Sequence, residues 1–206
     1  HIIDAELMGK GEKEKKDLYI EGVQNNGIIN HYEYIINSEG TIEIRHVLKP
    51  EGKMPLWFPR IGLTLTVSDA LDQVKWYGRG PQENYPDRKT GYPTGIYAST
   101  VQAMYEPYLM PQDYGLRTDV RWLQLTTDKG IGLQFKMNEW FNFNIYPYST
   151  DNLTKAMYTY QLQKQKGMTL NLDYATTGVG CTARGVFGAY KAMPQEYRRT
   201  ISIRPM

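Results

Sequence analysis

Apolar and polar residues alternate with a period of two along most of this chain. Ile61, Leu63, Leu65 and Val67 are separated by Gly62, Thr64 and Thr66. Ile131, Leu133, Phe135 and Met137 are separated by Gly132, Gln134 and Lys136. Phe141, Phe143 and Ile145 alternate with Asn142 and Asn144, and Met168, Leu170 and Leu172 with Thr169 and Asn171. Ile201 and Ile203 alternate with Ser202 and Arg204. Successive side chains of a strand point to opposite faces, so each run predicts a strand with one apolar and one polar face. Antiparallel sheets packed on one side have that pattern. Asn25-Asn26-Gly27, Ser38-Glu39-Gly40 and Asp128-Lys129-Gly130 read as hairpin connections. The spacing predicts a meander of many strands, so an all-β chain folded as a large antiparallel β-sandwich. One short helix is predicted from Ser149 or Thr150, with Asp151 near its start and Leu153 and Ala156 following. No linker or internal repeat interrupts the pattern, and residues 1–206 are expected to form a single β-sandwich domain.

The alternation fails from Trp76 to Arg88, which reads Trp-Tyr-Gly-Arg-Gly-Pro-Gln-Glu-Asn-Tyr-Pro-Asp-Arg. Pro81 and Pro86 fix φ and remove two backbone donors. Gly80 and Tyr85 precede them and are pushed toward extended geometry. A stiff loop launched from a strand end is predicted, dense in hydrogen-bonding groups. Irregular chain is expected from Gly78 to about Pro111. Connections this long are functional or packed against something else.

Composition adds 17 tyrosines and 4 tryptophans. Aromatic residues favour strands and half-buried faces, and most of these are read as sheet packing. Their ring faces also suit sugars, whose C–H groups stack on them. The net charge of +2 points away from nucleic acid and anionic membranes as partners. The Lys10–Lys16 run mixes glutamates with lysines and reads as a solvated loop. Cys181 stands alone, so neither a disulfide framework nor a zinc quartet is available, and a buried or inert thiol is expected. That leaves periplasm and cytoplasm equally open. No apolar run is long enough to span a bilayer, and the first residues do not read as a signal peptide.

Standalone catalysis finds little support in the residues. Glycoside hydrolysis needs two carboxylates about 5 to 9 Å apart across a bound sugar. Glu83 and Asp87 lie on one loop and are read instead as holding its shape by accepting backbone N–H groups. His1, His31 and His46 are scattered and form no triad or metal spacing. Gly178-Val179-Gly180 opens no convincing helix, so a dinucleotide fingerprint fails. No catalytic residue and no metal site is assigned to this chain.

The Trp76–Arg88 stretch resembles the Gly-Pro-x-Glu-Asn-Tyr-Pro-Asp-Arg signature of the C-terminal domain of lacZ-type β-galactosidases in glycoside hydrolase family 2. Arg60-Ile61-Gly62-Leu63 precedes it as in that family. The segments Met104–Tyr108 and Pro111–Arg117, then Asn142-Phe143-Asn144 and Leu170–Asp173 running into Gly178-Val179-Gly180, follow in the family's order. The likeness covers nearly the whole chain. It implies a supersandwich fold related to galactose mutarotase. It also implies a parent enzyme that is a retaining β-galactosidase, with catalytic glutamates and a Mg²⁺ site in a TIM-barrel domain. This chain would be a C-terminal fragment whose partners are that barrel and a β-galactoside. Gly80, Pro81, Gln82, Glu83, Asn84, Tyr85, Pro86, Asp87 and Arg88 would border the active-site mouth, with Gly80 as the hinge of a mobile loop.

One departure stands out. Relatives carry a tryptophan after the segment matching Gly178-Val179-Gly180, and it stacks on the part of the substrate beyond the galactose. Here that position falls at about Gly185, within Cys181-Thr182-Ala183-Arg184-Gly185-Val186-Phe187. Losing an aromatic platform costs on the order of 1 kcal/mol. Thr182, Arg184, Gly185 and Phe187 are the candidate contacts on this aglycone side. Two alternatives stay open: a non-catalytic carbohydrate-binding β-sandwich module, and a mutarotase-type epimerase using a carboxylate and a histidine.

Overall fold

A computed structural model describes residues 27–181 and 185–206. The Lys10–Lys16 run, His1 and most of the Asn25-Asn26-Gly27 turn lie outside the described residues. The described chain is all-β and antiparallel throughout. Its strands are β1 (Gly27–Ile36), β2 (Ile42–Glu51), β3 (Arg60–Val67), β4 (Gln73–Arg79), β5 (Thr94–Thr100), β6 (Arg117–Thr126), β7 (Gly132–Tyr146), β8 (Met168–Thr176) and β9 (Tyr197–Pro205). Hairpin turns at Ser38–Gly40 and Asp128–Gly130 form as predicted, with Gly40 and Gly130 both at φ +78. That left-handed backbone is open to glycine at little cost.

The sheet branches at β7. The first half of β7 pairs with β9, from Leu133↔Pro205 to Met137↔Ile201, and β9 leads on to β2 and β1. Its second half pairs with β8, from Asn142↔Asp173 to Tyr146↔Thr169, and β8 leads on to β3. Strands β6, β4 and β5 extend its other edge. The two apolar runs 131–137 and 141–145 are therefore one strand rather than two. Both branches feed one core, in which Trp76, Leu123, Phe135, Phe143, Leu172 and Ile201 are buried. This is the predicted antiparallel β-sandwich.

Strand β8 corrects the expectation that every sheet is packed on one side only. Leu170 and Leu172 face the main core, yet Thr169, Asn171 and Asp173 on the other face are also buried. The segment 105–116 and the helix α1 (Thr150–Lys155) cover them, through a small second core of Tyr114, Tyr146 and Leu153. Ser149 caps α1 by accepting from the Asn152 amide at 3.1 Å, as its sequence suggested. A buried polar face is tolerated when its groups find partners. Asn171 donates to Asn144 Oδ1 at 2.8 Å and accepts from the Thr64 hydroxyl at 2.7 Å. Asn144 donates to Asp113 Oδ1 and to the Tyr114 carbonyl. Asp173 pairs with Arg60 at 3.0 Å. Burial still pushes the Asp173 carboxyl up to about 6, outweighing the pull of Arg60.

The region 78–111 is less irregular than expected. Strand β4 runs on to Arg79, and β5 pairs with it over its whole length, from Gln73↔Thr100 to Arg79↔Thr94. Its alternation is hard to read because Gly95, Ala98 and Ser99 are small and the one aliphatic side chain, Ile96, is 62% exposed.

His46 is buried in the sandwich at 2% exposure, stacked on Tyr32 with ring centroids 4.1 Å apart. Its ring nitrogens meet the Tyr174 hydroxyl at 2.7 Å and Asn30 Oδ1 at 3.0 Å. Burial lowers its pKa to about 4. The folded state thus holds fewer protons than the unfolded chain between about pH 6.5 and 4, so this stabilisation is lost as pH falls through that window. Asp173, with its raised pKa, works in the opposite sense at overlapping pH. A His46→Gln variant, compared with the parent by urea unfolding at pH 7 and pH 5, should lose less stability on acidification by about 2 kcal/mol. Equal losses in both chains would show that His46 is not the titrating group.

Candidate functional site

Strand β4 delivers the Pro/Gly-braced loop at the end of the sandwich. Trp76, fully buried, donates its indole N–H to the Arg79 carbonyl at 3.0 Å and fixes the exit of the strand. Gly80 then passes so close to aromatic rings that a Cβ there would lie 2.9 Å from Tyr97 and 3.0 Å from Trp76. Beyond it, Pro81, Gln82 and Arg88 are exposed, while Glu83, Asn84 and Tyr85 turn inward and are buried.

Three side chains fasten the loop to three other stretches of chain. The Glu83 carboxylate accepts from the Gly115 amide at 2.8 Å, the Tyr85 hydroxyl at 3.1 Å and the Tyr108 hydroxyl. Arg88 reaches the same carboxylate at 3.3 Å. Asn84 donates its backbone N–H to the Leu116 carbonyl at 2.8 Å, and its side-chain Oδ1 accepts from the Thr118 backbone and hydroxyl. Asp87 accepts from the amides of Val179 at 3.0 Å and Gly180 at 2.7 Å. Arg79, where the loop begins, and Lys89, at its far end, both pair with Asp119. The acids do accept backbone N–H groups, but the donors lie elsewhere in the chain, at 115 and 179–180. The loop is stapled from outside itself as well as by one local turn, in which Tyr85 and Arg88 exchange both backbone hydrogen bonds.

The electrostatics follow from that packing. Burial, reinforced by Glu83, raises the pKa of Tyr85 and of Tyr108. Arg117, 2% exposed and 5.4 Å from the Trp76 ring, is lowered to about 10 by burial. Burial alone would raise the Asp119 pKa, but Arg79 and Lys89 pull it below the ordinary aspartate value. A carboxylate whose oxygens already accept several hydrogen bonds has little capacity left for a substrate proton. Glu83, with four donors on its two oxygens, is in that position, while Asp87 accepts one hydrogen bond on each oxygen.

The other candidates are dispersed. His31 is exposed on β1 and His46 is locked in the core, so neither shares a cleft with a free carboxylate. Cys181 is exposed rather than buried, and bridges to Gly185. Among the described residues no three histidine, cysteine or carboxylate side chains gather to hold a metal ion. The donor set here does not fit the Mg²⁺ that the resemblance implies for a barrel. Thr182 and Arg184 lie outside the described residues. Gly185 is exposed at φ +63, and Phe187 is 65% exposed.

Asp87 ties the loop to this second stretch, an arrangement that sequence spacing did not reveal. The stretches 56–58 and 178–193 meet beside it. Phe58 bridges to Ala192, Gly178 donates to the Tyr190 carbonyl, and Lys191 lies over the Trp57 ring. Leu56 is 85% exposed, and Trp57, Val179, Phe187, Tyr190 and Met193 on these stretches are exposed as well. The reading of single motifs also missed Gly115, Thr118 and Asp119 as loop partners, although the Pro111–Arg117 motif contains the first.

Fold and loop together define an antiparallel β-sandwich whose Pro/Gly-braced loop is anchored to other stretches of the chain. The profile of the family described as Beta galactosidase small chain matches residues 6–203. The chain belongs to that family. It is 38% identical to the beta-galactosidase of Priestia megaterium over 147 residues, which is 71% of this chain and 14% of that protein. It is 39% identical to the beta-galactosidase of Vibrio cholerae over 122 residues, 59% of this chain and 11% of that protein. For the beta-galactosidase of Pseudoalteromonas haloplanktis the identity is 34% over 148 residues, 71% of this chain and 14% of that protein. The chain thus spans 11 to 14% of the length of these relatives.

Proposed function

We propose that this chain is the C-terminal domain of a retaining family 2 β-galactosidase. It closes one side of a pocket for terminal β-D-galactosides, and the two catalytic glutamates belong to a TIM barrel of the same polypeptide. The single observation behind this reading is the loop's anchoring. Glu83, Asn84 and Asp87 are engaged by other stretches of the chain, while Pro81, Gln82 and Arg88 face outward. Such a loop can border a reaction but cannot perform it. The exposed apolar side chains Leu56, Phe187 and Met193, on stretches joined to the loop, support a barrel seated beside it. Gly185 and Phe187, with Thr182 and Arg184, would meet the leaving-group side of the substrate. Any Mg²⁺ would be held by the barrel.

The test is an Asp87→Ala substitution in the complete β-galactosidase. Loss of the tie to Val179 and Gly180 should lower kcat for an aryl β-galactoside by about tenfold, because a displaced rim no longer closes the pocket. Unchanged kcat and KM in a folded variant would refute a rim role. A second reading, a carbohydrate-binding module without a catalytic partner, draws on the exposed Trp140, 60% accessible. A mutarotase-type epimerase draws on nothing comparable, since His46 is held in the core.

A further inference from the structure

A group of aromatic side chains on the outer face of the sheet has no part in the loop's anchoring. Tyr77 on β4 pairs across the ladder with Trp122 on β6, and their ring centroids are 6.4 Å apart. The register of β6 against β7 slips here, so that residues 137–140 lie opposite Arg121. A bulge of this kind re-aims side chains. Trp140 emerges from it at 60% exposure. The Arg121 guanidinium sits 3.9 Å from the Trp140 ring and 5.2 Å from the Tyr77 ring. It also donates to the Asp119 carbonyl, the residue whose carboxylate holds Arg79 and Lys89 at the base of the rim. The rings are thus continuous with the loop.

The chemistry of this surface selects its occupant. Arg121 lies over the Trp140 ring, and Trp140 is still 60% exposed. An aromatic face carries negative charge density and attracts polarised C–H groups such as those on a galactose ring. The next rung of the same outer face is polar: Lys75, Gln124 and Gln134 pair in a row, and Lys136 lies beside Trp122. These side chains can hydrogen-bond sugar hydroxyls. A second protein chain would need about 800 Å² of matching surface from each partner, and a few rings beside a lysine–glutamine rung do not supply it.

We propose that Tyr77, Trp122 and Trp140, set by Arg121, form a stacking surface for a galactose-containing oligosaccharide that leads toward the rim at 80–88. The proposal deepens the galactosidase reading and rests on it for the class of sugar. The experiment is titration of the 206-residue chain with a β-linked galactan tetramer, followed by tryptophan fluorescence and calorimetry. Saturable binding is expected. It should weaken about tenfold in Trp140→Ala, a substitution at an exposed side chain, and recover in Trp140→Tyr, which restores a ring face. Trp122→Ala should weaken it as well. No saturation at millimolar tetramer would overturn the proposal, as would binding that Trp140→Ala leaves unchanged. Self-association of the chain that Trp140→Ala abolishes would overturn it too, by assigning this face to a second copy. Because binding and not hydrolysis is read, failure here is separate from failure of the rim reading, which shows in the kcat of the complete enzyme.

Discussion

Glu83→Ala should cost the chain about 3 to 5 kcal/mol of stability, because buried partners of a removed charge are left without a counterpart. The Gly115 amide, the Tyr85 hydroxyl and the Tyr108 hydroxyl all donate to this one carboxylate, which is 7% exposed. Each lost bond to a buried donor exposes that donor's desolvation cost of about 1 to 3 kcal/mol. Arg88 contributes little to the expected loss, since its side chain is 53% exposed. Glu83→Gln should fall between parent and alanine variant. It keeps one acceptor oxygen but sets an amide N–H₂ against donors. Urea unfolding at pH 7 measures both. A loss under about 1 kcal/mol for the alanine variant would mean that the loop is not fastened through Glu83.

Trp76→Ala should be comparably severe, at about 3 to 5 kcal/mol. Trp76 is fully buried, with Phe143 packed edge-on at 5.9 Å and Tyr97 at 5.5 Å. Arg117 lies over its ring. Removal opens a cavity directly under the Gly80 turn, whose backbone rests on that ring. Trp76→Phe separates two contributions. It fills much of the volume but cannot donate to the Arg79 carbonyl, so about 1 kcal/mol of hydrogen bonding is lost along with some packing. Its characteristic mark should be faster amide exchange from Arg79 to Arg88 with the sheet core unchanged. Exchange rising evenly over all strands would instead make Trp76 an ordinary core residue.

Much of this architecture was written in the order of apolar positions. Strands β3, β8 and β9 and the cap of α1 follow directly from alternation and from Ser149. What alternation could not convey is what covers a polar face. Asn144, Asn171 and Asp173 occupy the positions that would face solvent in a one-sided sheet, and they are buried because residues 105–116 fold back over them. Strand β5 escaped notice because its small residues carry almost no hydrophobic contrast. The loop was legible from its prolines and glycines, yet its partners were not. Gly115 lies 32 residues from Glu83, and Val179 lies 92 from Asp87. Local pattern contains no term for contacts at such separations, and only the order of motifs shared with β-galactosidases hinted that these segments meet.

The most direct measurement is hydrolysis of an aryl β-galactoside by the purified 206-residue chain, beside a Glu83→Gln variant and a mock preparation. A rim whose acids are engaged inward predicts no turnover above the mock preparation in either protein. Turnover that scales with the amount of the purified parent chain would contradict it, because the reaction would then be performed without the barrel.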